Sequence, residues 1–65
     1  MDKYSLQRNI LDALLMFGPL NRDMVIEKLK MRGIEASKEE VSEAFIELIM
    51  YGWAKLSDIP GHIKL

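Results

Sequence analysis

The sequence contains no cysteine. That excludes a disulfide framework and any thiolate metal site. It contains a single histidine, His62, and one histidine without cysteine partners makes no zinc site. It has no surplus of positive charge: the formal net charge is −1 and the pI is about 5.7. A strongly basic domain would advertise nucleic acid, and this one does not. It carries no block of like charge of the kind that marks a tail. No apolar run approaches the length of a membrane span. Its opening residues, Met1-Asp2-Lys3-Tyr4, lack the basic-then-apolar form of a signal peptide. The expectation is a cytoplasmic protein without a membrane partner. There is also no internal repeat, low-complexity segment or linker.

Catalytic signatures are missing too. There is no Ser-His-acid set on a plausible scaffold, no phosphate-cradling glycine loop and no paired metal-ligand motif. The carboxylates fall on helix faces expected to be wet, where little perturbs a pKa enough for acid–base chemistry. A chain this small hardly encloses an ordinary substrate pocket. The expectation is therefore no enzyme, no cofactor, no metal and no small-molecule substrate.

What is present suffices for one domain spanning residues 1–65. Apolar residues make up 49% of the chain, enough for a genuine core. A domain of this size buries only about 60% of its unfolded surface. Its core supplies no more than roughly 3–5 kcal/mol of net stability. With no disulfide to staple it, oligomerisation is the remaining reinforcement.

The apolar periodicity predicts three helices and a hairpin. Leu6, Ile10, Ala13, Leu14 and Phe17 mark one face of a 3.6-residue period from about Asp2 to Phe17. Leu11 and Leu15 form a second apolar side, so this helix is either central or touches a partner. Gly18 and Pro19 stop it. Asn21 is a good N-cap for a second helix running to about Arg32, with Leu20 and Val25 placed as a hydrophobic staple. Val25, Ile26 and Leu29 face inward, Met24 and Met31 fall off that stripe, and Gly33 ends the helix. Ser37 with Glu40 forms a capping box for a third helix. Its buried stripe is Val41, Ala44, Phe45, Leu48 and Ile49. Gly52 supplies a left-handed stop, and Trp53 is expected to fold back on Leu48 and join the core. After Trp53 the period becomes two. Ala54, Leu56, Ile63 and Leu65 are expected on a dry face. Lys55, Ser57, His62 and Lys64 are expected on a wet one, with Pro60-Gly61 at the centre of a type II turn.

Helix, short Gly-Pro-Leu extended piece, helix, helix, hairpin is an order that resembles the winged helix-turn-helix family. The residues that carry the likeness are Gly18-Pro19-Leu20-Asn21-Arg22-Asp23, opening the second helix. With them goes Val41-Ser42-Glu43-Ala44-Phe45-Ile46-Glu47-Leu48, leading to Tyr51-Gly52-Trp53-Ala54-Lys55-Leu56. The likeness covers nearly the whole chain. It implies a mainly α (α+β) fold, a three-helix winged helix-turn-helix with a short C-terminal β-hairpin wing. It also implies binding of double-stranded DNA in transcriptional control, with the third helix in the major groove and the hairpin on the backbone. On that reading Ser37, Lys38 and Ser42 face the bases, while Arg22, Lys55, His62 and Lys64 meet phosphates.

The residues themselves pull the other way. A recognition helix needs donors for base edges and cations for phosphates. Projection at about 100° per residue puts Glu39, Ser42, Glu43, Ile46 and Met50 on the outer face, flanked by Glu40 and Glu47. Four carboxylates against one lysine, Lys38, oppose a polyanion. The hairpin tip, Asp58-Ile59, lacks the arginine of a minor-groove probe. The lysines are otherwise ordinary solvated charges. Ile46 and Met50, one turn apart on the wet side, point to a protein contact instead, and methionine adapts well at such surfaces. The rival expectation is a winged-helix interaction or dimerisation module that does not bind DNA. Ile46, Met50, Leu11 and Leu15 would form its interface with a second copy or another protein.

Overall fold

The structure, a computed structural model, describes all 65 residues. Three helices, α1 (Lys3–Phe17), α2 (Arg22–Met31) and α3 (Lys38–Met50), pack with strands β1 (Leu20–Asn21), β2 (Lys55–Leu56) and β3 (His62–Lys64). The strands form one antiparallel sheet in the order β1-β3-β2. The extended Leu20-Asn21 piece is thus the third strand of the wing, paired through Leu20↔Ile63 and Asn21↔His62. The result is a three-helix α+β domain with a small β wing. None of its helices is long and apolar enough to cross a membrane.

Each helix begins where a side chain can occupy its orphan amides. Asp2 accepts from the Ser5 amide at 2.7 Å, and Asn21 from the Met24 amide at 2.8 Å. The expected capping box is complete: Ser37 Oγ accepts from the Glu40 amide at 3.1 Å, and Glu40 accepts from the Ser37 amide at 2.9 Å. The helices end as abruptly. Gly18 has φ 81 and ψ −155, a region open essentially only to glycine. It turns the chain out of α1 straight into β1. At the end of α3, Gly52 has φ 79. The Gly52 amide donates to Ile49 and the Trp53 amide to Leu48, at 3.1 and 2.9 Å. These two bonds are the pair that defines a Schellman stop.

Between these stops the apolar stripes converge. Ile10 of α1, Val25 and Leu29 of α2, and Val41 and Leu48 of α3 are the largest fully buried side chains. Leu20 and Ile63 carry the sheet's inner face into the same cluster, and Leu6, Ala13, Leu14, Ala44 and Ala54 complete it. Leu11, Ile26, Phe45 and Ile49 pack against it half-buried. The wing closes as expected. Gly61 has φ 74 and the His62 amide donates to the Ile59 carbonyl at 3.1 Å. With proline at the first central position, that is a type II turn.

Four expected core positions are not core. Trp53 is 64% exposed: the Schellman stop spends its amide on Leu48, but its indole lies along the outside of the helix pair. Leu56 is 72% exposed, although it pairs with buried Ile63. It sits on an edge strand, whereas Ile63 is on the central strand with a neighbour on each side. Leu65, beyond the last residue of β3, is exposed as well. Phe17, in the last turn of α1, is exposed too, and its ring takes the Lys28 ammonium 4.2 Å from its centroid. Such a contact stabilises by about 0.5–1 kcal/mol at an exposed site.

With so small a core, single changes separate by class. Ser37→Ala removes one half of the capping box and should cost about 1 kcal/mol. In thermal melts followed by circular dichroism, that lowers Tm by roughly 4–8 °C. Leu48→Ala should cost about 2–5 kcal/mol, comparable to the whole stability, and leave the chain largely unfolded at room temperature. A Leu48→Ala variant melting within a few degrees of the parent would contradict this core.

Candidate partner-binding surfaces

The core stripe of α3 fixes what its other side presents. Glu39, Glu43, Ile46 and Met50 lie outward, with Ile46 59% and Met50 73% exposed. The two flanking glutamates are not free. Glu40 is held in the capping box. Glu47 is half-buried and joins α3 to α1: its carboxylate accepts from Gln7 Nε2 at 2.7 Å and meets Lys3 Nζ at 2.8 Å. Gln7 is the one buried polar residue of the domain, and Glu47 satisfies it. Of the four carboxylates read on this helix, Glu39 and Glu43 therefore remain without an ion-pair or capping partner. Lys38 beside them is unpaired too.

The basic candidates divide into two groups. Arg22, at the start of α2, donates to Ser42 Oγ on α3 at 3.1 Å. Together with Asn21, Asp23, Phe45, Pro60 and Gly61 they line a shallow depression of about 360 Å³ between α2, α3 and the wing turn, so a carboxylate stands beside Arg22 there. Lys55 and Lys64 face each other directly across β2 and β3. By alternation Asn21 and His62, paired across β1 and β3, share that outer face of the sheet. His62 is half-buried, with Nδ1 3.0 Å from the Pro60 carbonyl oxygen. Ser37 belongs to neither group, since its hydroxyl is occupied in the cap, and Lys38 opens α3 beside it, one turn before Ser42.

A third surface lies on α1. Tyr4, Gln7, Arg8, Leu11, Asp12, Leu48, Tyr51 and Trp53 line a mostly apolar groove of about 420 Å³. Leu15, one turn beyond Leu11, is 73% exposed. Leu11 and Leu15 are expected at a partner surface from the sequence; Tyr4 and Trp53 are their companions in the fold without having been expected there. The spacing of Tyr4, Leu11 and Leu15, seven and then four residues apart, already placed all three on one helical stripe. Nothing in the sequence signalled that Trp53 would leave the core to line it. Comparison with models of protein families, with curated proteins and with solved structures finds no match.

The Lys3–Glu47 contact perturbs both partners. The hydrogen bond from Lys3 is the largest influence lowering the Glu47 pKa, with the Gln7 amide adding to it. The same bond, donated to Glu47, raises the Lys3 pKa, and the Glu47 and Glu43 charges add to it. The lowered Glu47 value contributes stability that is present above its unfolded pKa, near 4.3. That stability is lost as pH falls through the folded value. The raised Lys3 value contributes below its unfolded pKa, near 10.4, and is lost as pH rises through the folded one. Glu47→Gln keeps an acceptor for Gln7 and removes the charge. The variant should melt below the parent at pH 7, and the gap should shrink steadily as pH is taken below about 4. A gap that does not change between pH 7 and pH 2.5 would show that the charge contributes nothing.

Proposed function

We propose that this chain is a winged-helix domain that binds another protein through the outward face of α3. The observation that carries the reading is the pairing of two exposed apolar side chains, Ile46 and Met50, with two unpaired carboxylates, Glu39 and Glu43. A stripe that is acidic along its first half and apolar along its second fits a partner surface that sets lysine or arginine beside an apolar patch. The same carboxylates repel phosphates. The helix that would enter the major groove of DNA thus carries the wrong sign for that task. As the central anchor, Ile46 should contribute about 2 kcal/mol or more to binding. Ile46→Asp and Glu43→Lys, with unchanged circular dichroism, should each lose the partner recovered by the parent chain, while Lys55→Ala retains it. Equal recovery of that partner by the parent chain and Ile46→Asp would overturn the assignment to this face.

One observation favours a second reading, DNA binding of the transcription-regulator type through the wing. The outer face of the sheet carries Lys55, Lys64, His62 and Asn21 and no carboxylate. Two lysines directly opposite each other oppose strand pairing, and a phosphate between them reverses the sign of that contact. Arg22, one residue after Asn21, extends the cationic line toward α3. On this reading duplex affinity falls with salt by about 0.9 log unit per log unit for each phosphate neutralised, and Lys55→Ala/Lys64→Ala makes the slope shallower by about 2. An electrophoretic titration with no retardation at low salt, or a slope unchanged in the double variant, would remove it.

A further inference from the structure

The exposed stripe of α1 is self-complementary. Tyr4, Leu11 and Leu15 share one side of the helix, and Arg8 and Asp12 follow one another along its edge, one turn apart and opposite in charge. When two copies of one helix pack antiparallel about a two-fold axis, residue i of one faces residue j of the other with i + j constant, and every contact occurs twice. A constant near 19–20 sets Tyr4 against Leu15 and Arg8 against Asp12. Rotation about that axis leaves a residue on the same edge of the interface, so the opposite charges of the two copies meet side by side. One arrangement satisfies both the apolar and the charged pairs. Asp12 is free to take part: its intrachain contact with Arg32 is long, at 3.9 Å, and its side chain is half-exposed.

We propose that α1 is the interface of a symmetric homodimer, with Leu15 of each copy seated toward the Tyr4–Trp53 groove of the other. The occupant committed to is a second copy of this chain, because a foreign partner has no reason to match a charge order that matches itself. The size is adequate. A standard interface takes about 800 Å² from each partner. Tyr4 and Trp53, both mostly exposed, can each bury about 150–250 Å², roughly half of that requirement. The stripe is separate from the outward face of α3, so this inference stands whether that face meets protein or the wing meets DNA.

Sedimentation equilibrium over a wide concentration range tests it. The parent chain should approach twice its 7.5 kDa mass. Leu15→Arg changes an exposed residue, so it should keep the helical spectrum and sediment as a monomer. Arg8→Asp and Asp12→Arg should each weaken the dimer by about tenfold, since each spoils two exposed ion pairs at once. The double variant Arg8→Asp/Asp12→Arg re-forms both pairs with the signs exchanged. It should recover the parent dissociation constant to within about threefold. A parent chain that stays monomeric at millimolar concentration would overturn the proposal. So would a dimer indifferent to Leu15→Arg, or a double variant no better than the single ones.

Discussion

Five side chains from three helices, Ile10, Val25, Leu29, Val41 and Leu48, must reach the same small volume for this domain to exist. No disulfide and no further buried layer shares the task. The chain meets that constraint through its helix ends. Asp2, Asn21 and Ser37 fix where each helix starts. Gly18 turns α1 into β1, and Gly52 turns α3 toward β2. The wing contributes through Leu20 and Ile63, which add the sheet's inner face to the same cluster. The Glu47 carboxylate, held by Lys3 and Gln7, locks α1 against α3 at the edge of that cluster.

The same constraint decides what the surface offers. Once Val41, Ala44 and Leu48 face inward, the 3.6-residue period leaves Glu39, Glu43, Ile46 and Met50 outward on α3. Once Leu6, Ile10 and Leu14 face inward, Tyr4 and Leu15 are left exposed on a separate stripe of α1, with half-buried Leu11 between them at the edge of the core. Two helices therefore carry apolar side chains that the core has no room for. Of the nine lysines and arginines, Lys55, Lys64 and Arg22 lie on the outer sheet face and at the start of α2, while Lys28, Lys30 and Arg32 crowd the other end of α2. The outward face of α3 is thus acidic and the outer face of the sheet basic, with the remaining bases spread over the helices.

Much of the architecture was legible because it rests on local chemistry. Caps, glycine stops and a proline–glycine turn act within three or four residues, and Asn21, Ser37, Gly52 and Pro60-Gly61 all behave as their neighbours in sequence dictate. The apolar periodicity likewise placed the central stripe of every helix. What was not legible is lateral position. Leu56 and Ile63 read alike in an alternating pattern, yet one is on an edge strand and the other at the sheet's centre. Trp53 reads as core by its chemistry, yet the Schellman turn that uses its amide sends its ring along the outside. Glu47 reads as one more exposed acid on α3, and only the packing of α1 shows it paired with Lys3 and Gln7. The DNA-contact candidates named from the family likeness scatter for the same reason: Arg22 and Ser42 meet, Lys55 and Lys64 face each other, and Ser37 is consumed by its cap.

The account turns on the sign of the field over α3. The most direct measurement is the amide chemical-shift change along the chain as a short DNA duplex is added at low salt. The account expects the amides of Glu39, Glu43, Ile46 and Met50 to stay where they are, with any movement confined to the wing and the start of α2. If the largest changes fall on α3 instead, the acidic face is a DNA-reading surface after all, and the assignment of that face to a protein partner is wrong.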